Sequence, residues 1–388
     1  MLQTPARTSA SLIAEAERLI PWLRERAPAI EAGRRLTPEV HATLLDAGFY
    51  RMTMPPPFGA SEDLSLPEVM RVLETLARGD ASTAWSVWAA LGSGAMSAFI
   101  AEEGTRELFE RRDAVVVGSI AAMGRAVAVD GGYRVGGRWP FVSGIRQATH
   151  AGGLCAVFDD ERGRTGPDGQ PLTVFAFFPI GDCAVIDTWQ TTGLRGTGSD
   201  DIVVEDLFVP AERVADFSAP PRPGLPLVHY LHVDNAANVT AAAMAIGIAG
   251  VAIEAFRALA VSKRRPDGST LADTPGAKVA LARAELRHAQ ARGHLYETAE
   301  LVWEDAAAGN LPGERWLSRT SLASTAAVDA AIEVVSGLYR AAGSSAIFAT
   351  RAFDRCLRDV YTLGAHKTVQ RENELLHGGA SFDAAPAA

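Results

Sequence analysis

The spacing of apolar residues changes period twice along this chain, which limits it to helices, then strands, then helices. From about residue 8 to 113 the period is helical: Leu12, Ala16, Leu19, Ile20, Leu23 and Ile30 fall on one stripe, and Val69, Met70, Leu73, Leu76 and Ala77 on another. PPPFGAS, from Pro55 to Ser61, should break these helices. From about 114 to 215 the texture is that of strands. AVVVGSI is one β-rich run, AVAVDGGYRVGGRW alternates around Asp130-Gly131-Gly132 as a hairpin, and LCAVFDD should pair with LTVFAFF across ERGRTGPDGQP. DIVVEDLFVP closes this zone before the proline-rich PPRPGLP, Pro220 to Pro226. From about 234 to 378 the helical period returns, and loops at RRPDGSTLADTPG, NLPGE and AAGSS separate four helices, as in a bundle. The reading is an α+β chain, mostly α, with a helical domain over 1–113, a β domain over 114–219 and a helical bundle over 220–388. The tail SFDAAPAA is expected to be mobile.

A length of 388 residues exceeds one compact core and suits two or three domains. A net charge of -9 offers no basic field for a nucleic acid. Cys155, Cys183 and Cys356 form no CxxC pair, which suits a reducing compartment and excludes a cysteine-rich zinc module. No histidine pattern such as HExxH points to a metal. The N-terminus lacks a secretion signal, and the apolar run Ala241–Ala252 is too short and alanine-rich for a membrane span, which needs ~20 strongly apolar residues. It reads as a helix buried on all sides, in a cytoplasmic protein that does not bind membranes.

The segment FDRCLRDVYTLGAHK, Phe353 to Lys367, reads as a charged helix. Asp354 and Arg358 lie four apart, as do Arg355 and Asp359, so each acid can pair with a base one turn on. Asp359 and His366 lie seven apart, on roughly one face, which makes Asp359 a partner for the imidazole unless it pairs with Arg355 instead. Trp85 and Trp88 in STAWSVWAA share a helical face and either line a substrate pocket or fill the core. GLRGTGS, Gly193 to Ser199, has the glycines of a nucleotide-binding loop without the helix that would have to follow it.

Helices, a small β domain and a helical bundle follow one another in the order of the acyl-CoA dehydrogenase fold, with a β-barrel-like middle domain and a C-terminal four-helix bundle. TWQTTGLRGTGSDDIVVEDLFVP, SKRRPDG and AAGSS resemble motifs of that superfamily, over nearly the whole chain. GRWPFVSG and RDVYTLGAH resemble the group D flavin-dependent monooxygenases, the oxygenase components of two-component systems. Counting nine residues from Arg358, where dehydrogenases of this fold commonly place their glutamate base, reaches Lys367, with His366 beside it. The resemblance therefore implies a hydroxylase that takes reduced flavin, FMN in preference to FAD, from a separate NAD(P)H:flavin reductase by diffusion. It would use O2, through a C4a-hydroperoxyflavin, to oxygenate an aromatic or polycyclic small molecule, and would assemble as a homotetramer. Two other readings stay open on the same fold: an acyl-CoA dehydrogenase-type desaturase with its base at Glu372 or Glu374, and an N-oxygenase of an amino sugar. A non-catalytic assembly protein is the reading outside enzymes.

The resemblance also implies roles. Ser143 would hold the proton on flavin N5, and His366 would be the acid–base partner of the substrate, tuned by Asp359. Phe141 would lie against the isoalloxazine, with Trp139 beside it or in the sheet core. Thr197 and Ser199 would neighbour the flavin from the β domain. Arg264 and Arg265 would take a flavin phosphate, often that of a neighbouring subunit, and the turn Gly343-Ser344-Ser345 would approach the cofactor through its backbone. Trp85 and Trp88 would join His366 at the substrate.

Overall fold

The computed structural model describes residues 7–54, 58–59, 64–166, 169–231, 233–310 and 313–383. Most of the break expected at 55–61, and the last five residues of the tail, lie outside them; Ser381 to Asp383 continue a helix.

Five helices come first: α1 (Ser9–Gly33), α2 (Pro38–Ala47), α3 (Leu66–Gly79), α4 (Ala81–Met96) and α5 (Glu102–Phe109). The stripe on α1 is its buried face, with Leu12, Ala16, Leu19, Leu23 and Ile30 out of solvent and Ile20 at the edge. The stripe on α3 is buried throughout. Asp80 caps α4 by accepting the Thr83 N–H at 2.7 Å, which fixes where this helix begins and hence where Trp85 and Trp88 point.

The strands β1 (Val116–Val129), β2 (Gly132–Val142), β3 (His150–Asp159), β4 (Arg162–Gly163), β5 (Thr173–Pro179), β6 (Ala184–Ile186), β7 (Asp200–Pro210) and β8 (Val214–Asp216) form one mixed sheet. Its order is β6-β7-β2-β1-β3-β5-β8, with β4 beside β3. Both expected hairpins are present, β1 with β2 and β3 with β5. AVVVGSI and AVAV, however, belong to one long strand, and β1 runs parallel to β3. A parallel pair needs a crossover connection, so neither partner's local alternation announces it.

Trp139 on β2 is the anchor of this layer. It is fully buried, its indole N–H donates to the Leu154 carbonyl at 2.8 Å, and Phe178 packs on it with ring centroids 5.8 Å apart. Room for the indole exists because residue 153 on β3 is glycine: a Cβ there would lie 2.2 Å from the ring.

The helices α6 (Val233–Ser262), α7 (Pro275–Ala307), α8 (Glu314–Ala342), α9 (Ala352–Gly364) and α10 (Glu372–Asp383) complete the chain. Asp234–Ser262 and Trp316–Ser345 are long and apolar enough to cross a membrane by length and composition, so the short run seen in the sequence understates α6. Their apolar windows are 83% and 61% buried in the molecule, as core helices are. The bundle's last segment differs from the sequence reading. α9 ends at Gly364; His366 is extended (φ -75°, ψ 138°), and its ring accepts the Thr368 N–H to open a short 3-10 turn, Lys367–Val369. Local capping of this kind competes with helix continuation, so Asp359 and His366 do not share a helical face.

Gly153→Ala should destabilise the protein by ~1–3 kcal/mol through overpacking against Trp139. Denaturant unfolding measures this, and an unchanged midpoint would show that the indole has room to move.

Candidate active site

The site is assembled where α4, the end of β2, the loop before β7 and the segment after α9 meet. β2 does not keep its alternation to the end. Its pairing with β7 shifts between Trp139 and Val142, and Phe141 sits there at φ 61°. This bulge turns Phe141 outward, to 67% exposure, although a regular strand would put it on the side of the buried Trp139. Trp139 therefore packs in the sheet core, the second of its two expected places, and offers no surface to a cofactor. Phe141 lies at the rim, edge-on to Trp189 with centroids 6.3 Å apart.

Just past the bulge, Ser143 is buried and its neighbour Gly144 donates its N–H to the Thr197 carbonyl at 2.8 Å. The Ser143 hydroxyl contacts that of Ser199 at 2.7 Å, Ser199 contacts the Thr197 hydroxyl at 2.7 Å, and Thr197 donates to the Leu194 carbonyl at 2.9 Å. From α4, Trp85 donates its indole N–H to Ser143 Oγ at 3.1 Å. The loop carrying Thr197 is held by α9. Leu194 donates its N–H to Asp359 Oδ1 at 2.7 Å, and Gly193 passes so close to α9 that a Cβ would lie 2.0 Å from the Arg358 carbonyl. The glycines of GLRGTGS thus serve close packing of a loop between helices.

His366 packs its ring edge-on against Trp85 and Trp88, with centroids 5.2 and 5.5 Å away, and the two indoles lie 4.6 Å apart. Trp88 donates its N–H to Thr240 of α6 at 2.9 Å. His366 Nδ1 accepts the Thr368 N–H at 3.4 Å and lies 2.9 Å from the Thr368 hydroxyl; Nε2 then carries the ring proton and has no protein partner among the described residues. Burial, and then the charge of Lys367, lower the imidazole pKa to about 4, so it is neutral at physiological pH.

Among the described residues no hydrogen bond joins Asp359 to His366 and no ion pair joins it to Arg355; its carboxyl group instead accepts the Leu194 N–H. Burial raises its pKa to about 7, with nearby Asp80 adding to the rise and the Leu194 N–H, Arg355 and Arg358 opposing it. The other pair expected on this helix does form: Arg358 bridges to Asp354 at 2.7 Å, and it also binds Glu31 and the Thr192 carbonyl.

Arg264 and Arg265 lie in the α6–α7 loop, apart from this cluster. Arg264 Nη1 reaches only the Gly268 carbonyl at 3.4 Å, and the Arg265 side chain has no hydrogen bond or ion pair among the described residues. Lys263 donates to the Ala342 carbonyl at 3.1 Å, which sets this loop beside the turn Gly343–Ser345. Glu372 and Glu374, the alternative bases, are exposed on the first turn of α10. Sequence reasoning missed Trp189, Thr240, Lys263 and Thr368. Of these, Trp189 and Lys263 lay in the motifs TWQTTGLRGTGS and SKRRPDG without a role assigned to them, and Thr368 left a signal as a hydroxyl residue two after a histidine where a helix ends.

The arrangement fits a flavin. A flat heteroaromatic ring needs an exposed aromatic face and hydroxyl groups at its edge, and Phe141 with the buried Ser143–Ser199–Thr197 row provides them; Arg264 and Arg265, in the separate α6–α7 loop, suit a phosphate. With its pKa near 4, His366 should keep one charge state from pH 7 down to about 5. Its imidazole proton resonances, identified by loss in a His366 variant, should show no titration across that range. A midpoint above 6 would overturn the burial argument.

Residues 7–111 match the family model "Acyl-CoA dehydrogenase, N-terminal domain" and residues 239–371 match "Acyl-CoA dehydrogenase, C-terminal domain". Indole-3-acetate monooxygenase of Acinetobacter baumannii is 31% identical over 89% of this chain and 87% of its own. The oxygenase component of p-hydroxyphenylacetate 3-hydroxylase, from the same species, is 26% identical over 94% and 87%. Among solved structures, the HsaA monooxygenase of Mycobacterium tuberculosis superposes with a TM-score of 0.87 at 26% identity, covering 98% of this chain and 99% of that one. The acyl-CoA dehydrogenase fold, its two family domains and this full-length similarity agree, and the chain belongs to the flavin-dependent monooxygenases of the acyl-CoA dehydrogenase superfamily.

Proposed function

We propose that this chain is the oxygenase component of a two-component flavin monooxygenase that hydroxylates an aromatic small molecule. The observation that carries the reading is the position of Trp85. Its indole donates to Ser143 and its ring packs against His366, so it joins two groups more than two hundred residues apart in sequence. Relatives named for indole-3-acetate and p-hydroxyphenylacetate support an aromatic substrate.

Reduced flavin, when bound, supplies the electrons and activates O2. Ser143 then holds the proton at flavin N5, in a buried position that keeps water from taking it. His366, neutral and with Nδ1 accepting from Thr368, carries its ring proton on Nε2 and presents it to a substrate oxygen, stabilising a phenolate as the ring becomes nucleophilic. Trp85 and Trp88 give the substrate an aromatic wall and restrict water. Phe141 and Trp189 would flank the isoalloxazine, while Arg264 or Arg265, set apart from them, would bind the phosphate of a neighbouring subunit's flavin, with the Gly343 turn close by. Asp359 acts through the Leu194 loop and touches neither substrate nor cofactor. The exposed Glu372 and Glu374 lack the burial that a base acting on an α-proton requires, which counts against the desaturase reading.

The electrons come from a separate flavin reductase, with reduced FMN our first choice and reduced FAD the alternative. Exposed Val261, Ile347 and Phe348 flank the arginine loop and the Gly343 turn and support a homotetramer in which this face is covered. Three free cysteines support a reducing, cytoplasmic setting.

His366→Ala should lower hydroxylation by ~10²–10⁴-fold while flavin affinity stays within a few-fold of wild type. Single-turnover product yields with an indole or phenol substrate test this, and wild-type turnover would remove His366 from the mechanism. For Ser143→Ala, more of the consumed O2 should be recovered as hydrogen peroxide. An unchanged peroxide yield would count against the role at N5.

A further inference from the structure

The row of hydroxyls behind Ser143 has one polarity in which every bond is made. A carbonyl only accepts, so Thr197 commits its single hydroxyl proton to Leu194 at 2.9 Å. The 2.7 Å contact between Ser199 and Thr197 must then be donated by Ser199, and the 2.7 Å contact between Ser143 and Ser199 by Ser143. At the other end the Trp85 indole N–H, a donor only, points at Ser143 Oγ at 3.1 Å. Ser143 is left with its proton committed and one lone pair open.

We propose that the chain Trp85–Ser143–Ser199–Thr197–Leu194 presents Ser143 as a hydrogen-bond acceptor and so makes the site select reduced over oxidised flavin. This rests on the reading that Ser143 faces flavin N5. Reduced flavin carries a proton on N5 and completes the row. Oxidised flavin has only a lone pair there and meets another lone pair.

Oxidised flavin could bond to Ser143 only if Ser143 turned its proton to N5, and one contact of the row would then be lost: Ser143–Ser199, or Ser199–Thr197 if Ser199 turns as well, or Thr197–Leu194 if the whole row reverses. Reversal gives up the bond from Thr197 to the Leu194 carbonyl, which would keep the Thr197 N–H at 3.1 Å and the Trp189 indole N–H at 3.0 Å. In either polarity the oxidised complex is short by one hydrogen bond, a preference of roughly 3- to 10-fold. Ser199 and Thr197 are thus positioning residues that act through Ser143. For an enzyme fed by diffusing reduced flavin, such a preference keeps spent flavin from occupying the site.

The test is the ratio of affinities for reduced FMN, titrated anaerobically, and oxidised FMN. Ser199→Ala frees the Ser143 proton, and Thr197→Val removes the anchor that sets the direction. Each should lower the wild-type preference for reduced FMN by about 3- to 10-fold, while Thr197→Ser, which keeps the hydroxyl, should retain it. A change in general packing would weaken both forms alike and leave the ratio in place. If wild type prefers reduced FMN and both Ser199→Ala and Thr197→Val keep that preference, this inference fails and the functional reading stands. If wild type binds neither form, the functional reading fails and this inference with it.

Discussion

The hydrogen bond from the Leu194 amide to the Asp359 carboxylate joins the sheet to the bundle, and the site depends on that junction. A carboxylate this deeply buried is costly unless its lone pairs are used. Here it is spent on a loop that has no regular secondary structure to fix it. Arg358, the preceding residue, takes the Thr192 carbonyl at 2.7 Å and ties α1 to the same place through Glu31. Both charged residues of the RD pair therefore act on one short stretch, Thr192 to Leu194. Its peptide in turn receives Thr197 and, through it, the hydroxyls that reach Ser143.

The chemistry of the pocket follows from what burial does to each group. Serine and threonine hydroxyls carry no charge, and burial keeps His366 neutral well below physiological pH. The groups facing Trp85 thus bring polarity without a net charge. Such a site can shed water without stranding an ion, which a reaction sensitive to stray protons requires.

What could be read in advance was local. The stripes on α1 and α3 and the two hairpins each follow from residues near one another in sequence. The places where the reading failed depend on residues far apart. Phe141 and Trp139 look equivalent by alternation, and a bulge set by pairing with β7 separates them. Asp359 and His366 look like helical neighbours, but a capping bond from Thr368 ends the helix between them. The parallel pairing of β1 with β3 is fixed by the chain's path, not by either strand. Ser143 and His366 stood out in their own motifs, yet nothing in either motif names the Trp85 indole that touches both.

α6 owes its place to covering on several sides, since it packs against α3, α4, α8 and α9. Most of that cover comes from helices made later than α6 itself. During synthesis the chain must therefore carry a segment whose length and hydropathy match those of a membrane anchor before α8 and α9 exist to shield it. Until α8 and α9 emerge, this helix carries apolar surface that the finished fold covers, and a chain cut short before α8 would keep that surface exposed.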